Sequence, residues 1–178
     1  MVEQWPFKPT VQSSNLCGPT SKKQKKEIKM NKTDNMLYHG TSLKRAKKIL
    51  RESENRSSDF FLYVADTEAA TVQYSQRAAE DEEDEEMEAE GCVIAFCLDA
   101  LISNHRSGIG KLMNDYDDIW SLYKNGGIPS SPSQVSWEES LELLGTCSYK
   151  GTLYKSIIFL QNLETGEKIF PQKTKKEK

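Results

Sequence analysis

The segment 91–101, GCVIAFCLDAL, is apolar almost from end to end. A half-exposed strand or a surface helix shows a polar face at its own period, and this run has none. Such a strand is stable only when both of its faces are covered, so it belongs in the middle of a sheet. The rest of the chain must supply the neighbouring strands and the layers above and below. At 178 residues, 37% of them hydrophobic, there is material for one domain with a single core and spare length at both ends.

The covering elements can be read in order. MLYH at 36–39 is a short strand candidate. Thr41 or Ser42 can cap the helix that follows, whose apolar positions Leu43, Ala46, Ile49 and Leu50 share one face. DFFLYVA at 59–65 is a second strand. Asp66 or Thr67 can cap the next helix, with Glu68 in its first turn where the dipole favours an anion, and that helix should run through Tyr74 and Arg77. GKLMNDYDDIWSLYKNGG at 110–127 sets Leu112, Met113, Tyr116, Ile119, Trp120 and Tyr123 at helical spacing, closed by Asn125, Gly126 and Gly127. IPSSPSQ is a loop. SWEESLELLGT carries a capping box, Ser136 with Glu139, and ends at Gly145. TLYKSIIFLQNL and EKIF, joined by ETG, read as a hairpin. The sum is a mixed α+β domain over residues 35–171, with a disordered polar and basic leader at 1–34 and a basic disordered tail at 172–178.

The charge is segregated. EDEEDEEMEAE at 80–90 holds nine carboxylates and no cation, and without them the net charge of −3 becomes +6. KKQKKEIKMNK at 22–32 and KTKKEK at the C-terminus are basic. The basic ends read either as nucleic-acid or targeting patches or as solvated tails. The acidic block reads either as a partner-binding arm or as a self-repelling loop. No apolar run approaches the roughly 18 to 20 residues of a membrane span, and the N-terminus lacks the apolar centre of a secretory signal. Four cysteines without a CxxC pair, and two histidines, argue against a structural zinc site and for no metal cofactor. A reducing compartment, cytoplasmic or nuclear rather than secreted, and a monomeric state are the expectations.

Several motifs fail on inspection. GIGK at 108–111 lacks the glycine spacing and following hydroxyl of a phosphate loop. DYDD at 115–118 lacks the glycine and distant glutamate of a calcium loop and falls in a helical pattern. With only His39 and His105, a Ser/His/Asp arrangement has few candidates, and there is no nucleophile elbow.

One constellation survives. LYHGTS places His39 at a strand end on a Gly-Thr-Ser turn, and YVADTEAATVQY places Tyr63 at a second strand end with Tyr74 on the helix behind it. The order HG[ST], then Y-x-A-D with a second tyrosine in register, resembles the catalytic domain of the poly(ADP-ribose) polymerase-like ADP-ribosyltransferases. The resemblance spans residues 36–160, apart from 104–148. It implies split antiparallel β-sheets with flanking helices, NAD as substrate and a protein or nucleic-acid acceptor. By it, His39 bonds the adenosine ribose, the Gly40 backbone reads the nicotinamide carboxamide, Tyr63 and Tyr74 sandwich the ring, and Thr41 or Ser42 assists at the ribose. Cleaving the nicotinamide–ribose bond passes through an oxocarbenium-like species, so such a site must hold a flat ring, fix hydroxyls and stabilise positive charge.

The pattern departs from the family at its third element. The late-strand glutamate is matched by Ser156 in YKSIIF. A neutral hydroxyl cannot replace a carboxylate electrostatically, so transfer of a single ADP-ribose, or a non-catalytic module binding NAD, ADP-ribose or a protein partner, is the expectation rather than chain growth. Glu138 or Glu139 is a candidate substitute acid. Asp66 reads as a helix cap in preference to a catalytic acid. A tRNA 2′-phosphotransferase would show further clustered arginines and histidines near the first motif, and these are absent.

Overall fold

A computed structural model describes residues 35–54, 58–81, 90–128 and 131–171. The leader, most of the acidic block and the basic tail named above lie outside the described residues. Among the described residues, seven strands form one sheet in the order β4-β5-β2-β1-β3-β6-β7, antiparallel at every junction.

The apolar run sits where its composition demands. β3 (Gly91–Cys97) lies between β1 (Met36–Ser42) and β6 (Ile157–Asn162), and Val93, Ile94, Ala95 and Phe96 have no exposure at all. The strand is shorter than its apolar stretch. At Leu98 the chain turns into α3 (Leu98–Arg106), whose Leu98 and Leu101 continue the same core. Apolar continuity alone cannot separate a strand from the buried helix that succeeds it.

Two helices cover the two faces of β1 and β3. Leu37 joins the core with Ala46 of α1 (Leu43–Ser53), while Gly40, three residues on and therefore on the opposite face, meets α2 (Ala69–Glu80). A side chain at Gly40 would collide with the Thr71 carbonyl oxygen and come within 2.7 Å of Ser75 Oγ, so glycine here is what lets α2 lie directly on the strand. Ser75 Oγ is buried and donates to the Thr71 and Cys92 carbonyl oxygens, fastening the helix to β3.

The sheet is nearly two sheets. β2 (Phe60–Ala65) pairs with β5 (Thr146–Gly151) over six register positions, but with β1 at one, Tyr38 to Ala65. The expectation of split antiparallel sheets thus becomes a single sheet with a weak seam between β1 and β2.

Other boundaries differ from the sequence reading. Residues 110–114 are β4 (Gly110–Asn114), not the start of a helix. Gly110 packs against the Tyr149 ring and Leu112 pairs with Tyr149 of β5. β5 itself had no counterpart in the sequence reading. The expected hairpin begins only at Ile157, since residues 154–156 form a turn, and its second strand is reduced to β7 (Lys168–Ile169). Ser42 is the cap of α1, accepting from Arg45 N–H at 3.2 Å. Asp66 is not the cap of α2: that position is Glu68, and the Asp66 N–H bonds the Gly145 carbonyl oxygen. The capping box of α5 (Trp137–Leu144) forms as read, with Gly145 left-handed behind it. Among the described residues, no helix is long and apolar enough to cross a membrane.

Candidate functional site

The weak seam opens into a cavity of about 340 Å³, at the lower end of the range for small-molecule pockets. Its lining joins both halves of the sheet. His39 and Gly40 come from β1, Tyr63 to Ala65 from β2, and Thr71 and Tyr74 from α2. Thr146 of β5 and Asp115, Asp117 and Asp118 complete it.

His39 is anchored at the seam. Its Nδ1 lies 2.8 Å from the Tyr63 carbonyl oxygen, which can only accept, so Nδ1 carries the proton. In the neutral ring Nε2 is then a lone-pair acceptor. Burial lowers the imidazole pKa below its usual value, a trend the carbonyl contact only partly opposes, so the ring is neutral at physiological pH. A neutral acceptor is suited to a hydroxyl donor and unsuited to a phosphate.

The aromatic components are accessible. Tyr63 is 46% exposed and Tyr74 50% exposed, both leaving part of the ring free for a flat ligand. Phe61 meets Tyr63 edge-on, with centroids 5.3 Å apart and planes at 88°, and buttresses its orientation. The Tyr63 phenol pKa is raised, first by burial and then by the Asp117, Asp115 and Asp118 carboxylates, so it remains a neutral donor.

The acidic wall escaped the sequence reading. Asp115 precedes α4 (Tyr116–Lys124) and is itself buried. Thr146 Oγ1 donates to its Oδ2 at 2.9 Å, while its backbone N–H donates to Ser140 Oγ, which in turn donates to the Thr146 carbonyl oxygen. Burial raises the Asp115 pKa, opposed by the Thr146 bond and the Asp118 backbone and reinforced by the Asp118 and Asp117 carboxylates. The sequence reading weighs the DYDD segment as a calcium loop and as part of a helix, not as a cavity wall. The available signal was the concentration of carboxylates at a helix start, which the α4 dipole tolerates.

The structure therefore brings His39, Gly40, Tyr63 and Tyr74 together and keeps the remaining sequence candidates apart from them. Thr41 and Ser42 are buried and do not line the cavity. Ser156 is fully buried in the turn before β6, with its hydroxyl committed to the Leu153 carbonyl oxygen. It does not line the cavity either. Glu139 is occupied by the capping box, and neither it nor Glu138 reaches the lining. The register explains this. The strand beside β2 is β5, so a group facing Tyr63 across the cavity comes from residues near 146, not 156.

Two buried thiols are silent. Burial pushes the Cys92 thiol up to about 11 and the Cys147 thiol up to about 12, which removes both as nucleophiles. His105 accepts from the Leu112 N–H and is structural. No cluster of three or more potential metal ligands occurs among the described residues.

No protein-family model matches the chain, and no significant match to it was found among curated proteins or solved structures. What fold and site define together is a mixed α+β domain whose antiparallel sheet carries an aromatic, acidic cavity at its seam.

Proposed function

We propose that the domain binds the nicotinamide end of NAD and transfers a single ADP-ribose to a protein or nucleic-acid acceptor. The observation that carries the reading is the convergence of His39, Tyr63 and Tyr74, from two strands and a helix, on one cavity that also holds Asp115. An ADP-ribosyltransferase-like fold is consistent with an antiparallel sheet whose halves join through one register pair, with the cavity at that join.

The chemistry supports it. The nicotinamide ring of NAD is a flat cation, matched by tyrosine faces and carboxylates. Among the described residues, the lining contains no lysine or arginine to pair with the diphosphate, so in this scheme it lies outside the cavity. When the bond from ribose C1′ to the ring nitrogen breaks, its electron pair leaves with neutral nicotinamide and positive charge shifts to the ribose. A desolvated Asp115 carboxylate beside the ribose stabilises that charge more strongly than an exposed one would. The acceptor then bonds C1′, and its proton passes to Asp115 or to water. Asp115, rather than Ser156, fills the acidic role in this scheme.

The second reading, a module that binds NAD or ADP-ribose without transfer, is favoured by one feature. The Asp115 carboxyl is already engaged by Thr146, and its raised pKa weakens it as an anion. Incubation of purified protein with NAD labelled in the adenylate separates the two. Covalent label that disappears in the Asp115→Asn variant supports transfer. Thermal stabilisation by NAD without label supports the binder, since a ligand of the native state alone stabilises it by mass action. Neither label nor stabilisation at millimolar NAD would overturn both.

A further inference from the structure

Helix α4 turns its aromatic side chains outward. Tyr116, Trp120 and Tyr123 are 51%, 38% and 40% exposed, although Ile119 on the same helix is fully buried. Their spacing puts the three rings on one stripe. Tyr116 and Trp120 are nearly parallel, at 7° with centroids 6.4 Å apart, and Trp120 and Tyr123 follow at 5.8 Å and 29°. The Lys124 ammonium sits 5.0 Å above the Trp120 ring. A continuous strip of tryptophan and tyrosine left in water is the composition of a binding hot spot rather than of ordinary surface.

The first turn of the same helix presents Asp117 and Asp118, which line the neighbouring cavity together with Asp115. Asp117, three residues before Trp120, borders the aromatic stripe, while Asp118 lies farther round the helix on the cavity side.

We propose that this face docks a basic, arginine-bearing peptide segment of a partner protein. Guanidinium groups stack on tryptophan and tyrosine faces and pair with carboxylates, so each half of the surface recognises the same side chain. Lys124 already demonstrates that the Trp120 face holds a cation. Other occupants fit less well. The phosphates of a nucleic acid would stack their bases on the ladder only by bringing negative charge against Asp117 and Asp118. A second copy would bring the same carboxylates to a shared seam. Docking does not depend on NAD chemistry. Where transfer also occurs, the bound segment lies beside the cavity and supplies the acceptor.

The test is fluorescence anisotropy of the full chain with a labelled arginine–serine peptide, against matched glutamine–serine and glutamate–serine peptides and a single-stranded DNA oligonucleotide. The arginine peptide should bind best, and Trp120→Ala should weaken it roughly fivefold, the scale of one exposed cation–π contact. Asp117→Asn with Asp118→Asn should weaken it further. Lys124→Ala should tighten binding, because it removes the competing cation, and this gain of affinity cannot arise from a damaged fold. Binding unchanged by Trp120→Ala would locate the peptide elsewhere on this acidic chain and overturn the proposal. So would equal binding of the glutamine peptide, preference for the oligonucleotide, or weaker binding after Lys124→Ala. A dimer in sedimentation that Trp120→Ala dissociates would assign the face to a second copy instead.

Discussion

Thr146 Oγ1 donates to Asp115 Oδ2 across 2.9 Å, tying β5 to the start of α4 at the wall of the cavity. A carboxyl held this way is fixed in direction yet partly stripped of water, and it is the group the proposed reaction leans on most.

Asp115→Asn keeps the bond, since the amide oxygen accepts from Thr146 as the carboxylate does. It removes a charge that burial and the Asp118 and Asp117 carboxylates disfavour, against the Thr146 bond and the Asp118 backbone, which favour it. The variant should melt higher than the parent at neutral pH and lose transfer about 100-fold, as when an electrostatic stabiliser is removed. The sign of the pH dependence follows. The folded-state pKa lies above the unfolded one, so the cost of the charge is relieved as pH falls through the folded value. Parallel melts across acidic pH should therefore show the advantage of the variant shrinking.

His39 titrates in the opposite sense. Its folded pKa lies below its usual 6.5, so the unfolded chain takes up the proton first as pH falls. Stability contributed by the neutral ring is complete above the unfolded pKa and is lost between the unfolded and folded values. Urea midpoints compared with His39→Gln should show the parent losing ground as pH falls below the ordinary imidazole pKa of 6.5, where the unfolded chain takes up the proton first.

Gly40→Ala should cost about 1–3 kcal/mol through overpacking, because the methyl group meets the Thr71 carbonyl oxygen and Ser75, and α2 must lift. Tyr74 rides on that helix, so NAD-induced thermal stabilisation should fall further than the stability loss alone explains. Denaturant unfolding and thermal shift of the same sample check both parts.

Ser156→Glu restores the residue type that the resemblance placed there, yet it should create no activity. The site is fully buried and outside the cavity. A carboxylate there is unpaired, and unfolding should show a loss of about 3 kcal/mol or more.

The parts legible in the sequence were those carried by local pattern. The apolar run put β3 in the centre, the Ser136–Glu139 box marked α5, and the family resemblance carried by HGT and YVADTEAATVQY picked out His39, Tyr63 and Tyr74, which share a cavity. The missing parts depended on pairing at a distance. GKLMN and TCSYKG are too short and too mixed to declare themselves as strands. They become so by pairing with each other and by β5 pairing with β2. Without β5 the sheet neighbour of Tyr63 was unknown. Ser156 was then assigned by motif, and Asp115, brought in by the turn after β4, was passed over.

The central claim is that Tyr63 and Tyr74 hold the nicotinamide ring of NAD. Saturation-transfer NMR of NAD in the presence of the protein tests it directly. The nicotinamide protons should receive more saturation than the adenine protons, and the effect should vanish when both tyrosines are replaced by alanine in a chain that still folds. Saturation concentrated on the adenine, unchanged by that double replacement, or absent altogether would contradict it.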